Sequence, residues 1–167
     1  AEFSTKVESD QPLVVDRTMS WGTTAAYGAH AETAVAAPAL TWYLAEGATH
    51  SGFTLFYLLQ NPTDTAAQIE VRYLLPTGGP IVKTYQVAAQ SRYNIWVDLE
   101  DVRLKNTDIS AVITSLNAVP VIVERTNTRS SSAISSSRLM WRSGNASKYE
   151  RHPRVTASLI FWSAQWS

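Results

Sequence analysis

Residues 41–62 read TWYLAEGATHSGFTLFYLLQNP. The second half, 53–59, is an unbroken run of aromatic and aliphatic side chains with one Thr, stopped by Asn61-Pro62. A run this short, rich in aromatics and ended by turn chemistry, predicts a central strand buried on both faces rather than a helix. Gly47 and Gly52 bracket a bend ahead of it, and Trp42 and Tyr43 stand on the far side of that bend.

Downstream the pattern repeats with period two. Ile69, Val71, Tyr73 and Leu75 alternate with Glu70, Arg72 and Leu74, and PTGGP at 76–80 connects this strand to a return strand at 81–87. Tyr93, Ile95 and Val97 alternate in the same way, 99–107 is charged and reads as a loop or one helical turn, and strands over 109–116 and 119–126 follow across Asn117-Ala118. Upstream, Leu13, Val15 and Arg17 share one face of an extended segment and Val14, Asp16 and Thr18 the other. Residues 20–39 are small and irregular and read as a long loop, with a short helix over 31–36 as an option. Strand patterns separated by turn residues, without a useful amphipathic helix, predict an all-β, antiparallel β-sandwich; a closed barrel gives the same local signals.

The chain has no cysteine, so disulfides and thiolate chemistry are excluded. Fourteen basic and fourteen acidic residues cancel, which leaves no net field to draw the chain to nucleic acid or an anionic membrane. No apolar stretch approaches the roughly 20 residues that cross a bilayer. A neutral, hydroxyl-rich surface with few charges suits an extracellular β module, in a chain of one domain's length.

LVVDRTM at 13–19 matches VIVERTN at 121–127 in hydrophobicity, acid, Arg and Thr. The offset, 121 less 13, is 108 residues, which implies tandem domains rather than a solenoid. TWYLAEGAT, LLQNPTDTAA, RYLLPTGGP and VESDQPLVVDRTMSW together resemble an uncharacterised, immunoglobulin-like β-sandwich repeat of large bacterial cell-surface proteins. The resemblance spans about residues 4–126. It implies an immunoglobulin-like sandwich acting as a spacer or adhesive unit, extracellular or on the cell surface, with no catalytic residues to carry over. On this reading 1–37 is the remnant of a preceding repeat, supplying an extra N-terminal strand pair, and 38–127 is one sandwich module. Residues 128–167 form a Ser-rich linker and an atypical, non-repeat C-terminal tail that reads as foreign sequence or as a cap. The partners implied are neighbouring modules, or a second copy joined by strand exchange, because an orphan strand leaves backbone groups unpaired.

Chemistry has fewer signals. His30, His50 and His152 share no metal-ligand spacing, and no nucleophile elbow or phosphate loop is present, so neither a metal nor a cofactor is called for. A hydrolase of glycosidase or esterase type is the alternative, with Glu46, His50 and Asp98 as candidate catalytic residues. His50 lies beside Ser51, and Asp98 belongs to an acidic group with Glu100 and Asp101. That acidic group is equally suited to a solvated loop or to oxygen ligation of calcium. A third reading is carbohydrate binding on an aromatic platform of Trp42, Tyr43 and Trp96. The basic stretch 138–154 is too local, against a balanced total charge, to make a dedicated nucleic-acid binder.

Overall fold

The computed structural model describes residues 3–22, 27–129 and 155–161. Its strands are β1 (Phe3–Ser9), β2 (Asp16–Gly22), β3 (Tyr27–Thr33), β4 (Thr41–Leu44), β5 (Phe53–Asn61), β6 (Ala67–Leu74), β7 (Ile81–Val87), β8 (Ser91–Trp96), β9 (Ser110–Ser115), β10 (Ile122–Arg129) and β11 (Val155–Phe161). A single-turn helix α1 (Val97–Glu100) and a 3-10 turn (Val102–Leu104) account for the charged connection after β8.

Two antiparallel sheets form the body. One is ordered β4-β9-β6-β7 and the other β10-β5-β8, and neither closes into a barrel. The first strand of this body thus pairs with the penultimate one and the last with the second. Immunoglobulin constant domains instead join first to second and last to penultimate, so the finer immunoglobulin label goes beyond what this order carries. Alternation places Ile69, Val71 and Tyr73 of β6 and Ala111 and Ile113 of β9 against Leu55, Tyr57 and Leu59 of β5. Tyr57 and Tyr73 stack across the gap with ring centroids 6.1 Å apart. The β6–β7 hairpin forms across 76–80, pairing Tyr73 with Ile81.

β5 is the central strand of its sheet and is buried on both faces, as its composition requires. Its inner face meets the four-stranded sheet, while Phe56 and Leu58 on the outer face join Ile122 and are covered by Val35. That cover comes from the N-terminal region. β2 and β3 pair as a hairpin, Arg17 opposite Glu32, and place Arg17 against Glu124 of β10 with Nη2 to Oε2 at 3.2 Å. The two side chains are 2% and 1% exposed.

Two sequence expectations are corrected here. Residues 27–33 are neither loop nor helix but β3, ordered by its ladder to β2 rather than by any strand-forming composition of its own. The extra N-terminal strand pair is present as the β2–β3 hairpin, while β1 pairs with β11. The C-terminal region therefore contributes a strand to the fold, and a pattern with no likeness to the repeat gave no sign of it. The linker at 130–137 and the basic stretch at 138–154 lie outside the described residues.

Glu32 connects the hairpin to a pH response. Burial pushes its carboxyl up from the ordinary value, and the nearby Arg17 and Arg125 pull it only partly back. A carboxyl that holds its proton more tightly when folded favours the fold fully below its unfolded value of 4.5, and this contribution is lost as pH rises through the folded value. Glu32→Gln is therefore expected to match the parent in urea midpoint near pH 4 and to exceed it at pH 7. Midpoints measured across that range check the sign.

Candidate functional site

Segment 45–52 forms one end of the sandwich. After β4, Gly47 accepts from Ile109 N–H (2.8 Å), and Thr49 N–H donates to Thr107 O (3.0 Å). Thr49 Oγ1 donates to Leu104 O (2.7 Å) and accepts from Thr107 N–H (3.1 Å), so one threonine holds the whole 104–107 turn. Ser51 and Gly52 then take positive φ, 56° and 78°, and Phe53 N–H closes the turn on His50 O. The requirement at Gly47 is steric: a Cβ there would stand 2.8 Å from Leu55 Cδ2 and 3.1 Å from Ile109 O. Gly47→Ala is expected to cost about 1–3 kcal/mol through this overpacking. The loss should shrink when Leu55 is shortened to Val, as a double-mutant cycle in urea would show.

His50 lies in this turn. Its Nε2 is 2.8 Å from Asp108 Oδ1 and its Nδ1 is 2.9 Å from Ser51 Oγ. An ionised carboxylate only accepts, so Nε2 carries the proton and Nδ1 receives the Ser51 hydroxyl. The result is a continuous Ser51–His50–Asp108 series. Beside it a cleft of about 270 Å³ is lined by Glu46, Gly47, Leu75, Pro76, Asp108 and Ser110. Glu46 thus shares the cleft with Asp108, and its carbonyl accepts from Arg125 Nη1. Asp108 went unnoticed in the sequence because it comes 58 residues after His50 and arrives only through the Ala48–Asp108 bridge.

Asp98 is elsewhere. Its Oδ2 accepts from Leu55 N–H at 3.0 Å and so terminates the ladder at the start of β5. The acidic group to which it belongs is dispersed among structural partners. Glu100 accepts from Tyr85 Oη (2.7 Å) and lies 4.0 Å from Lys83 Nζ. Asp101 caps the 3-10 turn through Arg103 N–H (2.9 Å), and hydrogen bonds from Arg103 hold its carboxyl below the usual range. Among the described residues no group of three or more His, Asp or Glu is placed to hold a metal ion.

The three aromatics do not share a platform. Trp42 points inward, packs against the core and donates Nε1–H to Val121 O at 2.9 Å, joining the two sheets. Tyr43 is 77% exposed on the outer face of β4. Trp96 is 41% exposed on β8 in the other sheet, with its ring 5.4 Å from Phe56. A sugar-binding reading would have to rest on Tyr43 or Trp96 separately. Of the other histidines, His30 is in β3 opposite Met19, and His152 lies outside the described residues.

A polar feature the sequence did not suggest closes one flank. Tyr73 and Tyr85 share a hydrogen bond of 2.9 Å, Tyr85 reaches Glu100, and Lys83 Nζ donates to Glu100 O at 2.5 Å. Burial pushes both phenols well above their ordinary pKa. Alternation placed Tyr73 on one face with Ile69 and Val71, but it did not single out Tyr85, and their carboxylate partner Glu100 comes from a turn that no periodicity reaches.

No family model matches the chain, and no curated protein matches it. Solved structures do. The Anabaena sensory rhodopsin transducer is similar at 20% identity, over 55% of this chain and 91% of that chain, with a TM-score of 0.47. The structure titled Thermotoga maritima 1070 is similar at 17% identity, over 56% of this chain and 94% of that chain, with a TM-score of 0.48.

Proposed function

We propose that residues 38–127 are an extracellular structural or adhesive module of a bacterial surface protein, one copy in a tandem array and without chemistry of its own. The observation that carries this reading is where the chain comes in and leaves. Ala39 exchanges hydrogen bonds with Val121, at the start of β10, and the chain leaves at Arg129, at the far end of the same strand. Eight residues of strand separate the two points, roughly 26 Å along the strand direction. A module with opposite poles for its two connections can be strung in line. Tension between those poles also loads the eight-residue β10–β5 ladder in shear, so its bonds share the force rather than opening singly. The motif resemblance and the seating of the β2–β3 hairpin on an outer sheet face support a role in contact with neighbouring modules. Among the described residues no helix is long and apolar enough to cross a membrane.

Single-molecule stretching of the full chain tests the reading. One cooperative event that releases roughly 300 Å, the contour length of residues 39–129, is the expected result. Gradual extension without such an event would remove the load-carrying role.

A second reading has one specific observation in its favour, the Ser51–His50–Asp108 series beside the cleft. It would act as an esterase-type site with Ser51 as nucleophile, His50 as base and Asp108 as the group orienting it. An ester panel decides between the two. Activity abolished by Ser51→Ala, His50→Gln and Asp108→Asn but retained in Asp98→Asn would establish the hydrolase. Failure of the parent chain to turn over any ester would dismiss it.

A further inference from the structure

β2 has two backbone edges, and among the described residues only one of them is paired. Ala34 N–H donates to Val15 O (2.8 Å), so the odd-numbered residues of β2 direct their N–H and C=O groups to β3. Asp16, Thr18 and Ser20 direct theirs the other way. No described strand pairs with β2 on that side. Val14 is 82% exposed, and Asp16 and Thr18 are exposed as well.

β10, whose sequence matches β2, has the same phase. Val121 gives and receives a hydrogen bond with Ala39 (3.0 and 2.9 Å), so its odd-numbered residues face away from β5. Glu124 and Thr126 face β5, opposite Leu58 and Phe56. Leu55 N–H, which points to Asp98 beyond β8, confirms the same alternation along β5. Asp16 and Thr18 occupy in the first motif the places that Glu124 and Thr126 occupy in the second. The edge that β5 fills in β10 is the edge that no described strand fills in β2.

We infer that this edge of β2 is an acceptor for an extended strand of the β5 pattern, supplied by another copy of the module. Asp16 then aligns with the incoming Leu58 and Thr18 with the incoming Phe56. The inference rests on the repeat reading of 13–19 and 121–127. Each of the three outward residues can exchange two main-chain hydrogen bonds with such a strand, which is how strand addition to a sheet edge gains affinity. The side chains decide which strand is taken. β10 shows that this motif accepts alternating large apolar residues in that register.

The test uses the full chain and a Lys-flanked peptide carrying FTLFYLLQN. Hydrogen exchange is the readout. The amides of Asp16, Thr18 and Ser20 are expected to exchange freely in the chain alone and to slow by about tenfold or more with peptide, as one or two added hydrogen bonds require. The amides of Arg17 and Met19, already bonded to β3, should not change. Peptide N-methylated at the Phe56 and Leu58 positions should lose this protection, while methylation at the Tyr57 position should keep it. Methylation leaves the chain itself untouched, so a folding defect cannot imitate the result. Unchanged exchange with peptide, or equal protection by a scrambled peptide, overturns the inference. Neither outcome bears on the stretching experiment, which tests the module separately.

Discussion

Glu124→Ala is expected to lower stability by about 3–5 kcal/mol, the usual loss when one partner of a buried ion pair is removed. The cause is the residue left behind. Arg17 would keep its charge in a setting where its side chain is 2% exposed, having lost the carboxylate 3.2 Å away. The double variant Arg17→Met/Glu124→Leu should recover most of the loss, since apolar side chains of similar size fit the same space without a desolvation cost. Urea unfolding of the parent, both single variants and the double variant makes a complete cycle. A coupling near zero would show that the hairpin does not rest on this pair. The expected alternative to global unfolding is that β2–β3 lifts away first, which proteolysis near residues 34–40 would report.

Leu59→Ala carries the second large effect, about 2–5 kcal/mol. Leu59 is fully buried in the inner cluster between the sheets, where the surrounding strands are held by ladders on both sides and cannot collapse into the space. Leu58→Ala is expected near the lower end of the same range. Leu58 belongs to the smaller outer cluster with Phe56 and Ile122, and the cover over it is Val35, on the segment just after the β2–β3 hairpin, which is able to settle toward the gap. Chemical denaturation of the two variants side by side measures the difference. Equal large losses would mean that this cover is as rigid a part of the core as the second sheet.

These two leucines also show what sequence made legible. An apolar run with no polar alternation has to be covered twice, and the structure covers 53–61 twice. Period-two alternation likewise located β6 and its inner face and β8, and the connection at 76–80 located β7. The same rule failed at 27–33, where a strand built from small residues shows no contrast between faces. The site divided along a similar line. Gly47 and His50 stood out ahead of a strand, but their partners at 108–109 are distant in sequence and joined by turn geometry, and Thr49, which holds the 104–107 turn, gave no signal. Asp98 was chosen for its acidic neighbours, and spatial neighbours decided its role instead. The equivalence of Arg17 with Arg125 was visible. That Arg17 reaches the acid of the other motif was not, because the faces of the two strands are turned to different surroundings.

Lys83 has a consequence beyond the bonds it makes. It occupies an inward-facing position on β7, an outermost strand of its sheet, and leans with Tyr85 across the gap toward Glu100. A charged side chain pointing inward on such a strand penalises any foreign strand that would lie alongside, because docking would strip the ammonium of water. With this flank guarded, sideways addition of a strand from a second copy is discouraged.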